Sequence, residues 1–286
     1  MDRIAISGAN GFVGKNVGKF LAKNGFDIIP LVRKGRKKEV DFGRAVISQD
    51  LTEDSLVGSL KGSAAFLHFI GKGRQTADSD YDTVNVNLTR NAVALCKKTG
   101  IKKIIYLSGL GVDKKSTLGY FISKFKAEQE IVHSGLDYTI FRPSYIMGKN
   151  DPLSKILSRQ MRKGSVIIAG SGRYRLQPIL VSDVARVVMK SIHGKQFSKK
   201  TIDLVGPQTV TYGKFVRDLV GGKAQIRHVD FETAYHDALC SGASQFGVDD
   251  LSILVGDYVG NHRKLARISG IEFTKYGNML EACRLS

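Results

Sequence analysis

The first half of the chain alternates short apolar runs, rich in β-branched residues, with longer stretches of helical periodicity. The apolar runs predict strands at 3–7, 27–32, 45–48, 64–69, 104–108 and 138–142. The helical stretches predict helices at 13–24, 54–60, 82–99 and 123–134. This alternation predicts a parallel sheet with right-handed crossovers, and strands that are apolar on both faces predict helices on each side of it. We therefore expect an α/β fold with a doubly wound parallel sheet.

The pattern becomes less regular beyond Pro143. It predicts helices at 153–163 and 183–192 and strands at 166–169 and 179–181. No repeat, low-complexity linker or sharp change of composition separates this half from the first.

We expect residues 1–143 to form the core and residues 144–286 to form a smaller mixed α/β lobe packed on it. The segments 176–192 and 202–206 are candidates to return to the core. A cleft between core and lobe is the expected ligand site.

A glycine-rich turn, Gly8-Ala9-Asn10-Gly11-Phe12-Val13-Gly14, joins the first predicted strand to the first predicted helix. In this spacing Gly8 permits a tight turn, Gly11 lets backbone N–H groups approach a pyrophosphate, and Gly14 lets the helix pack closely on the strand. The helix N-terminus adds positive potential. The turn, including Asn10, Phe12 and Val13, therefore predicts a dinucleotide site in a Rossmann-type fold. The alternative is an ordinary strand-to-helix turn.

The second predicted strand ends at Val32-Arg33, where NAD enzymes usually carry an acid that binds the ribose 2′-hydroxyl. The sequence has no acid there. Arg33 begins a basic run that continues with Lys34, Arg36, Lys37 and Lys38. Guanidinium and ammonium groups suit a 2′-phosphate, so the sequence favours NADP(H) over NAD(H). A solvated basic loop is the alternative.

Asp50 and Leu51 follow the third predicted strand. The Asp50 carboxylate could accept a hydrogen bond from the adenine amino group while Leu51 flanks the ring. Asp50 could equally cap the helix predicted at 54–60.

Charge is the compositional feature that bears on partners. Lys and Arg total 44 against 26 Asp and Glu, a formal net charge of +18, which favours phosphorylated small molecules, nucleic acid or anionic lipid. Because no nucleic-acid module is recognisable, we expect no specific nucleic-acid partner. The expected partner is a small-molecule substrate, and peripheral association with an anionic membrane or a protein complex stays open.

The cysteines bear on compartment and the histidines on metals. Cys96, Cys240 and Cys283 are odd in number and far apart, which suits neither a disulfide framework nor a zinc site. The six histidines lack HxxxH or HExxH spacing, so no metal is predicted. The apolar runs are shorter than the roughly 20 residues of a membrane span, and no signal peptide is visible. We expect a cytoplasmic protein.

Four further segments carry a resemblance to a known family: Asn85-Val86-Asn87-Leu88-Thr89, Tyr120-Phe121-Ile122-Ser123-Lys124, Arg142-Pro143-Ser144 and Ile179-Leu180-Val181-Ser182-Asp183-Val184-Ala185. With the glycine turn they resemble the extended and atypical branches of the short-chain dehydrogenase/reductase superfamily over about residues 1–195. These branches include nucleotide-sugar epimerase-like proteins. The segment 134–143 is most similar to the atypical branch that contains NmrA-like regulators and the NAD(P)H-binding accessory subunit of respiratory complex I.

The resemblance implies oxidoreductase chemistry at Tyr120 and Lys124, which fit the family's YxxxK motif. Residues four apart lie on one helix face, so Lys124 could lower the pKa of Tyr120, which would exchange a proton with a substrate hydroxyl or carbonyl. Lys124 would also hold the nicotinamide ribose. The resemblance places Gly71, Asn85 and Pro143 along the cofactor cleft as well.

The sequence departs from the family at the hydroxyl that polarises the substrate. Ser108 ends its strand, whereas the family's hydroxyl often lies a residue or two later, where this chain has Gly109 and Leu110. Either Ser108 serves, or Ser116 or Thr117 swings in, or the donor is missing.

Three functions follow from these observations. The first is an NADP(H)-dependent oxidoreductase acting on a carbonyl or hydroxyl group. The second is a non-catalytic NADP(H)-binding scaffold or redox sensor, and the third is a nucleotide-sugar epimerase or dehydratase. In the second lobe, Arg173 and Arg175 could bind a phosphorylated substrate or form a basic turn, and Tyr145 and Met147 could line the substrate site or pack in the core.

Overall fold

Seven parallel strands form the central sheet in the computed structural model, which describes residues 1–76, 78–240 and 246–283. The strands are β1 (Arg3–Ser7), β2 (Asp27–Val32), β3 (Val46–Ile47), β4 (Ser63–His68), β5 (Lys103–Leu107), β6 (Asp137–Pro143) and β11 (Lys200–Leu204). Their order is β11-β6-β5-β4-β1-β2-β3. All neighbouring pairs in this sheet are parallel, as the alternating pattern predicts.

Helices cover both faces of the sheet. They include α1 (Phe12–Lys23), α2 (Ser55–Leu60), α3 (Leu88–Thr99), α4 (Gly119–Val132) and α6 (Val181–His193). Alternate side chains of β1 divide between two apolar clusters: Ile4 and Ile6 pack with α1 and α6, whereas Ala5 packs with α2, α3 and α4. Burial of apolar side chains on each face holds the sheet between two helical layers. The predicted doubly wound α/β fold is confirmed.

Two helices depart most from the positions at which they were predicted to begin. A π-helical turn, Asp82–Asn87, precedes α3, so the predicted helix 82–99 consists of two pieces. α4 begins at Gly119, four residues earlier than predicted. Phe121 lies in the first turn of the helix, and its side chain is buried. Tyr120 therefore lies inside the helix.

The second lobe is built from small sheets and helices. β7 (Tyr145–Met147) pairs with β10 (Pro178–Leu180), β9 (Arg175–Leu176) pairs with β12 (Val210–Thr211), and β8 (Ser165–Ala169) pairs with β13 (Gln225–Val229). The helices are α5 (Pro152–Arg162), α7 (Tyr212–Val220), α8 (Phe231–Cys240), α9 (Val248–Leu254), α10 (His262–Ser269) and α11 (Tyr276–Cys283). Their common core includes Met147, Leu157 and Phe215.

Two segments from the second half lie against the first. β11 is the edge strand of the central sheet beside β6, and α6 packs on α1. None of the helices in the described ranges is long and apolar enough to cross a membrane.

Candidate functional site

The glycine turn closes tightly between β1 and α1. Gly8 has a φ of +73°, and a Cβ there would lie 2.7 Å from the carbonyl carbon of Phe69. A Cβ on Gly14 would lie 2.2 Å from the Gly8 carbonyl oxygen. Gly11 precedes the first helical residue and brings no side chain over the first N–H groups of α1. The cradle that these glycines leave open fits a pyrophosphate, whose oxygens would accept from those N–H groups.

An acid that the sequence analysis overlooked lies beside this turn. The Asn10 side chain, predicted to contact the cofactor, donates a hydrogen bond of 2.9 Å to the Glu39 carboxylate. Arg36 forms an ion pair of 2.5 Å with the same carboxylate, and these contacts lower the pKa of Glu39. The sequence analysis did not consider this acid when it noted that no acid follows the second strand directly. Glu39 is six residues past Arg33, and the fold brings it back to the turn.

The basic run remains largely unpaired. The Arg33 guanidinium is exposed and has no hydrogen-bond or ion-pair partner in the part of the chain that the structure describes. Lys34, Lys37 and Lys38 are exposed as well. Arg36 is the member of the run that Glu39 engages.

Asp50 and Leu51 occupy a turn after β3. The Asp50 carboxylate accepts from the backbone N–H of Thr52 at 3.1 Å and from its hydroxyl at 2.6 Å, so it closes a local turn and does not cap α2. Leu51 has a φ of +73° and a buried side chain that packs in the core. Only its backbone is available to flank an adenine ring.

Ser108 follows the carboxyl end of β5, and the Tyr120 hydroxyl lies next to the residue after it. The Ser108 hydroxyl is buried and has no hydrogen-bond partner among the described residues. The Tyr120 hydroxyl oxygen lies 3.0 Å from where a Cβ would stand on Gly109, the residue after Ser108. Of the alternative hydroxyls, Ser116 accepts from the Leu118 N–H at 3.4 Å and Thr117 is exposed. A buried donor with no partner beside a tyrosine hydroxyl suits a substrate oxygen.

Lys124 is buried beneath these groups. Its Nζ donates to the Tyr106 hydroxyl and to the Leu107 carbonyl oxygen, each at 3.1 Å. Burial lowers the pKa of Lys124 to about 8 and raises the pKa of Tyr120 to about 12. The expected lowering of the Tyr120 pKa by Lys124 is thus not seen, because the ammonium group bonds to Tyr106 instead. Lys126, two residues further along α4, is exposed and bonds to Asp82.

Asn85 and Gly71 join the loop after β4 to this site. The Asn85 side chain accepts from the Lys72 N–H at 2.8 Å and donates to the Lys72 carbonyl oxygen at 3.1 Å and to the Ser123 hydroxyl at 2.9 Å. A Cβ on Gly71 would lie 2.7 Å from Lys124 Nζ. Glycine is therefore the residue that lets this loop pass over Lys124. Pro143 ends β6, and its carbonyl oxygen accepts from the Leu110 N–H at 2.9 Å.

A buried polar network continues below Lys124 and was not predicted. His68 Nδ1 lies 2.7 Å from the Ser7 hydroxyl, and its Nε2 lies 3.1 Å from the hydroxyl of Thr89. Because Thr89 donates its proton to the Asn85 carbonyl oxygen at 2.6 Å, Nε2 carries the histidine proton and Nδ1 accepts from Ser7. Burial lowers the pKa of His68 to about 3, so the ring is neutral. Its ring stacks on Tyr106.

Aromatic rings surround Tyr120 on the side away from the sheet. The Tyr81 ring meets it edge-on at 6.1 Å and the Phe121 ring at 5.1 Å, and the Tyr258 ring lies 6.0 Å from Phe121. The Tyr81 hydroxyl donates to the Gly73 carbonyl oxygen. Tyr81 and Tyr258 stand far from the YxxxK motif in sequence, so no local pattern assigns them to this site.

Comparison with known proteins places the chain in a family. A family model described as NAD(P)H-binding matches residues 8–195. The NADH dehydrogenase [ubiquinone] 1 alpha subcomplex subunit 9 of Arabidopsis thaliana is 26% identical over 217 residues, which cover 72% of this chain and 54% of that protein. The chain thus spans about half the length of that relative. An uncharacterized sugar epimerase of Bacillus subtilis, YhfK, is 24% identical over 217 residues, which cover 72% of this chain and 95% of that protein.

Solved structures share the fold. The Bordetella bronchiseptica enzyme WbmH, in complex with NAD+, superimposes with a TM-score of 0.74 at 18% identity, covering 99% of this chain and 97% of that one. A likeness at this identity establishes the shared architecture.

Proposed function

Because this chain belongs to the NAD(P)H-binding family, we propose that it is an NADP(H)-dependent oxidoreductase that exchanges hydride with a carbonyl or hydroxyl group of a small substrate. The observation that carries the proposal is the convergence at the end of β5. There the Ser108 hydroxyl, which no described residue engages, lies with the Tyr120 hydroxyl and the buried Lys124 at the carboxyl edge of the sheet that also carries the glycine turn.

The side chains have separate tasks in carbonyl reduction. A bound nicotinamide supplies the hydride that the carbonyl carbon receives. Ser108 donates a hydrogen bond to the carbonyl oxygen, and Tyr120 transfers its proton to that oxygen as negative charge develops there. A pKa of about 12 keeps Tyr120 protonated at neutral pH, which suits a proton donor. The product is an alcohol, and Tyr120 regains its proton from water.

The preference for NADP(H) rests on the charges beside the turn. Arg33, Lys34, Lys37 and Lys38 are exposed cations in the loop after β2, and the same loop carries the acid Glu39. A 2′-phosphate would gain from several of these cations, whereas a 2′-hydroxyl would interact mainly with Glu39.

Thermal unfolding with each cofactor tests binding and preference. A ligand at 100 times its dissociation constant stabilises a protein by about 2.7 kcal/mol, so NADPH should raise the unfolding temperature and NADH should raise it less. Turnover is then followed as NADPH oxidation with a panel of aldehydes and ketones. Tyr120→Phe should abolish turnover and keep NADPH binding, and the matched control Tyr235→Phe, on α8, should keep both.

A second candidate function is a non-catalytic NADP(H)-binding protein. The hydrogen bonds of Lys124 to Tyr106 and Leu107 favour it, because they direct the ammonium group away from Tyr120. Tight NADPH binding without hydride exchange in either direction would support this function over the first.

A further inference from the structure

A small apolar cavity lies in the second lobe, next to the carboxyl edge of the central sheet. Its volume is about 150 Å³. Ser144, the residue that follows β6, lines it, and its other walls include residues of β7, β9, α7 and the end of α9. Tyr258 closes one side: its N–H donates to the Arg175 carbonyl oxygen and its own carbonyl oxygen accepts from Ser144 Oγ, each at 2.7 Å.

Three of the tyrosines that line this cavity have hydroxyls that are already engaged by other groups of the protein. The Tyr145 hydroxyl donates to the buried Asp151 carboxylate, the Tyr174 hydroxyl to the Ala169 carbonyl oxygen, and the Tyr258 hydroxyl to the Ile253 carbonyl oxygen. Because these three hydroxyls are engaged by protein acceptors, their ring surfaces join the aliphatic side chains of the wall.

The cation at the rim is also engaged. The Arg175 side chain forms two hydrogen bonds to the Asp257 carboxylate, from Nε at 3.0 Å and from Nη2 at 2.8 Å. Among the described residues that line the cavity, no other side chain carries a positive charge. A diphosphate needs unpaired cations or clustered N–H donors, so this wall does not suit a nucleotide sugar.

The cavity borders the proposed reaction centre through a chain of rings. Tyr258 lies 6.0 Å from Phe121, which lies 5.1 Å from Tyr120. Ser144 follows Pro143, whose carbonyl oxygen accepts from Leu110, two residues past Ser108. A group in the cavity would therefore lie near the carboxyl ends of β5 and β6, where Ser108 and Pro143 stand.

We propose that this cavity is the specificity pocket for an apolar carbonyl substrate and accepts one group of the size of a single aromatic ring. An apolar protein cavity of about 150 Å³ is large enough to bind benzene. The substrate class is thus a small aromatic aldehyde or ketone, or its alcohol. This inference rests on the proposed oxidoreductase function.

The test separates the pocket from the reaction by measuring binding and turnover independently. Binding of benzyl alcohol to the full chain is followed by saturation-transfer NMR, and NADPH oxidation is followed with benzaldehyde, 2-naphthaldehyde and UDP-glucose. Leu254→Trp, at the end of α9, fills the cavity, and Leu254→Ala enlarges it. Leu239→Trp, at an exposed position of α8, is the matched control.

We expect Leu254→Trp to weaken benzyl alcohol binding and to lower kcat/KM for benzaldehyde by at least about tenfold, with NADPH affinity unchanged. Leu254→Ala should shift preference toward 2-naphthaldehyde, and Leu239→Trp should match the wild type. The proposal that the cavity is the specificity pocket would be wrong if the wild type did not bind benzyl alcohol. It would also be wrong if Leu254→Trp and Leu254→Ala had the same kinetics with benzaldehyde. If UDP-glucose competes with benzaldehyde and is itself turned over, the proposed substrate class is wrong. Benzyl alcohol binding without any NADPH turnover would reject the proposed function alone and leave the pocket supported.

Discussion

Replacing Lys124 with methionine tests how the site holds a buried cation. Burial lowers the pKa of Lys124 from its usual 10.5 to about 8, and Lys124 is 4% exposed. Each pKa unit corresponds to about 1.4 kcal/mol, so keeping the ammonium group in the site costs about 3 kcal/mol at neutral pH. Methionine has similar volume and no charge. The substitution also removes two hydrogen bonds, each worth about 1 kcal/mol. Because the loss of these bonds offsets about 2 of the roughly 3 kcal/mol gained, Lys124→Met should stabilise the free protein at pH 7 by about 1 kcal/mol.

The pH dependence gives the sharper outcome. Below pH 8 Lys124 is protonated in both the folded and the unfolded state, and the cost is present in full. Between pH 8 and 10.5 the unfolded state binds the proton more strongly, so the free energy of unfolding of the wild type rises with pH. Relative to Lys124→Met, this rise should amount to about 3 kcal/mol.

Urea unfolding followed by far-UV circular dichroism measures this difference, since the chain has no tryptophan for fluorescence. The control is Lys126→Met, which removes an exposed lysine from the same helix and should keep the wild-type rise. Equal slopes for wild type and Lys124→Met between pH 8 and 10.5 would refute the assignment of a destabilising buried ammonium group.

Three further predictions concern the cofactor site. Gly14→Ala would place a methyl group 2.2 Å from a carbonyl oxygen of the glycine turn, so NADPH affinity by calorimetry should fall at least about tenfold, whereas Gly58→Ala, with open space around it, should have no effect. Glu39→Gln removes the negative charge beside the turn and should raise the ratio of NADPH to NADH affinity about threefold; an unchanged ratio would place the 2′ group elsewhere. Tyr106→Phe removes a hydrogen-bond acceptor of the Lys124 ammonium group, which lowers its pKa further. As the pH is raised, NADPH binding should therefore be lost at a lower pH than in the wild type. An unchanged midpoint pH of NADPH binding would argue against the contact between Tyr106 and Lys124.

The fold was accessible from the sequence because its determinants are local. Period-two and helical patterns repeat within each element, and the bounds of β1 and β2 agree with the predicted strands at 3–7 and 27–32. The glycine turn was recognisable for the same reason, since its three glycines act within seven residues. Where the local signal was mixed, as around Asn85, the structure has a π-helical turn that the pattern did not predict.

The site depended on contacts between distant parts of the chain. Spacing of four residues was enough to place Tyr120 and Lys124 on one helix, but not to show that Lys124 bonds to Tyr106 on a neighbouring strand. Likewise, the basic run after β2 was visible, whereas the return of Glu39 to Asn10, 29 residues earlier, was not.

The sequence alone therefore determined the α/β architecture, the dinucleotide turn and the two residues of the YxxxK motif. Only the tertiary structure decided which groups surround them: the network of His68 and Tyr106 beneath Lys124, and Tyr258 beside Phe121. The physical reason is that hydrophobic periodicity and backbone conformation act over a few residues. Hydrogen bonding, burial and the resulting pKa values depend on every element that the fold packs against a group.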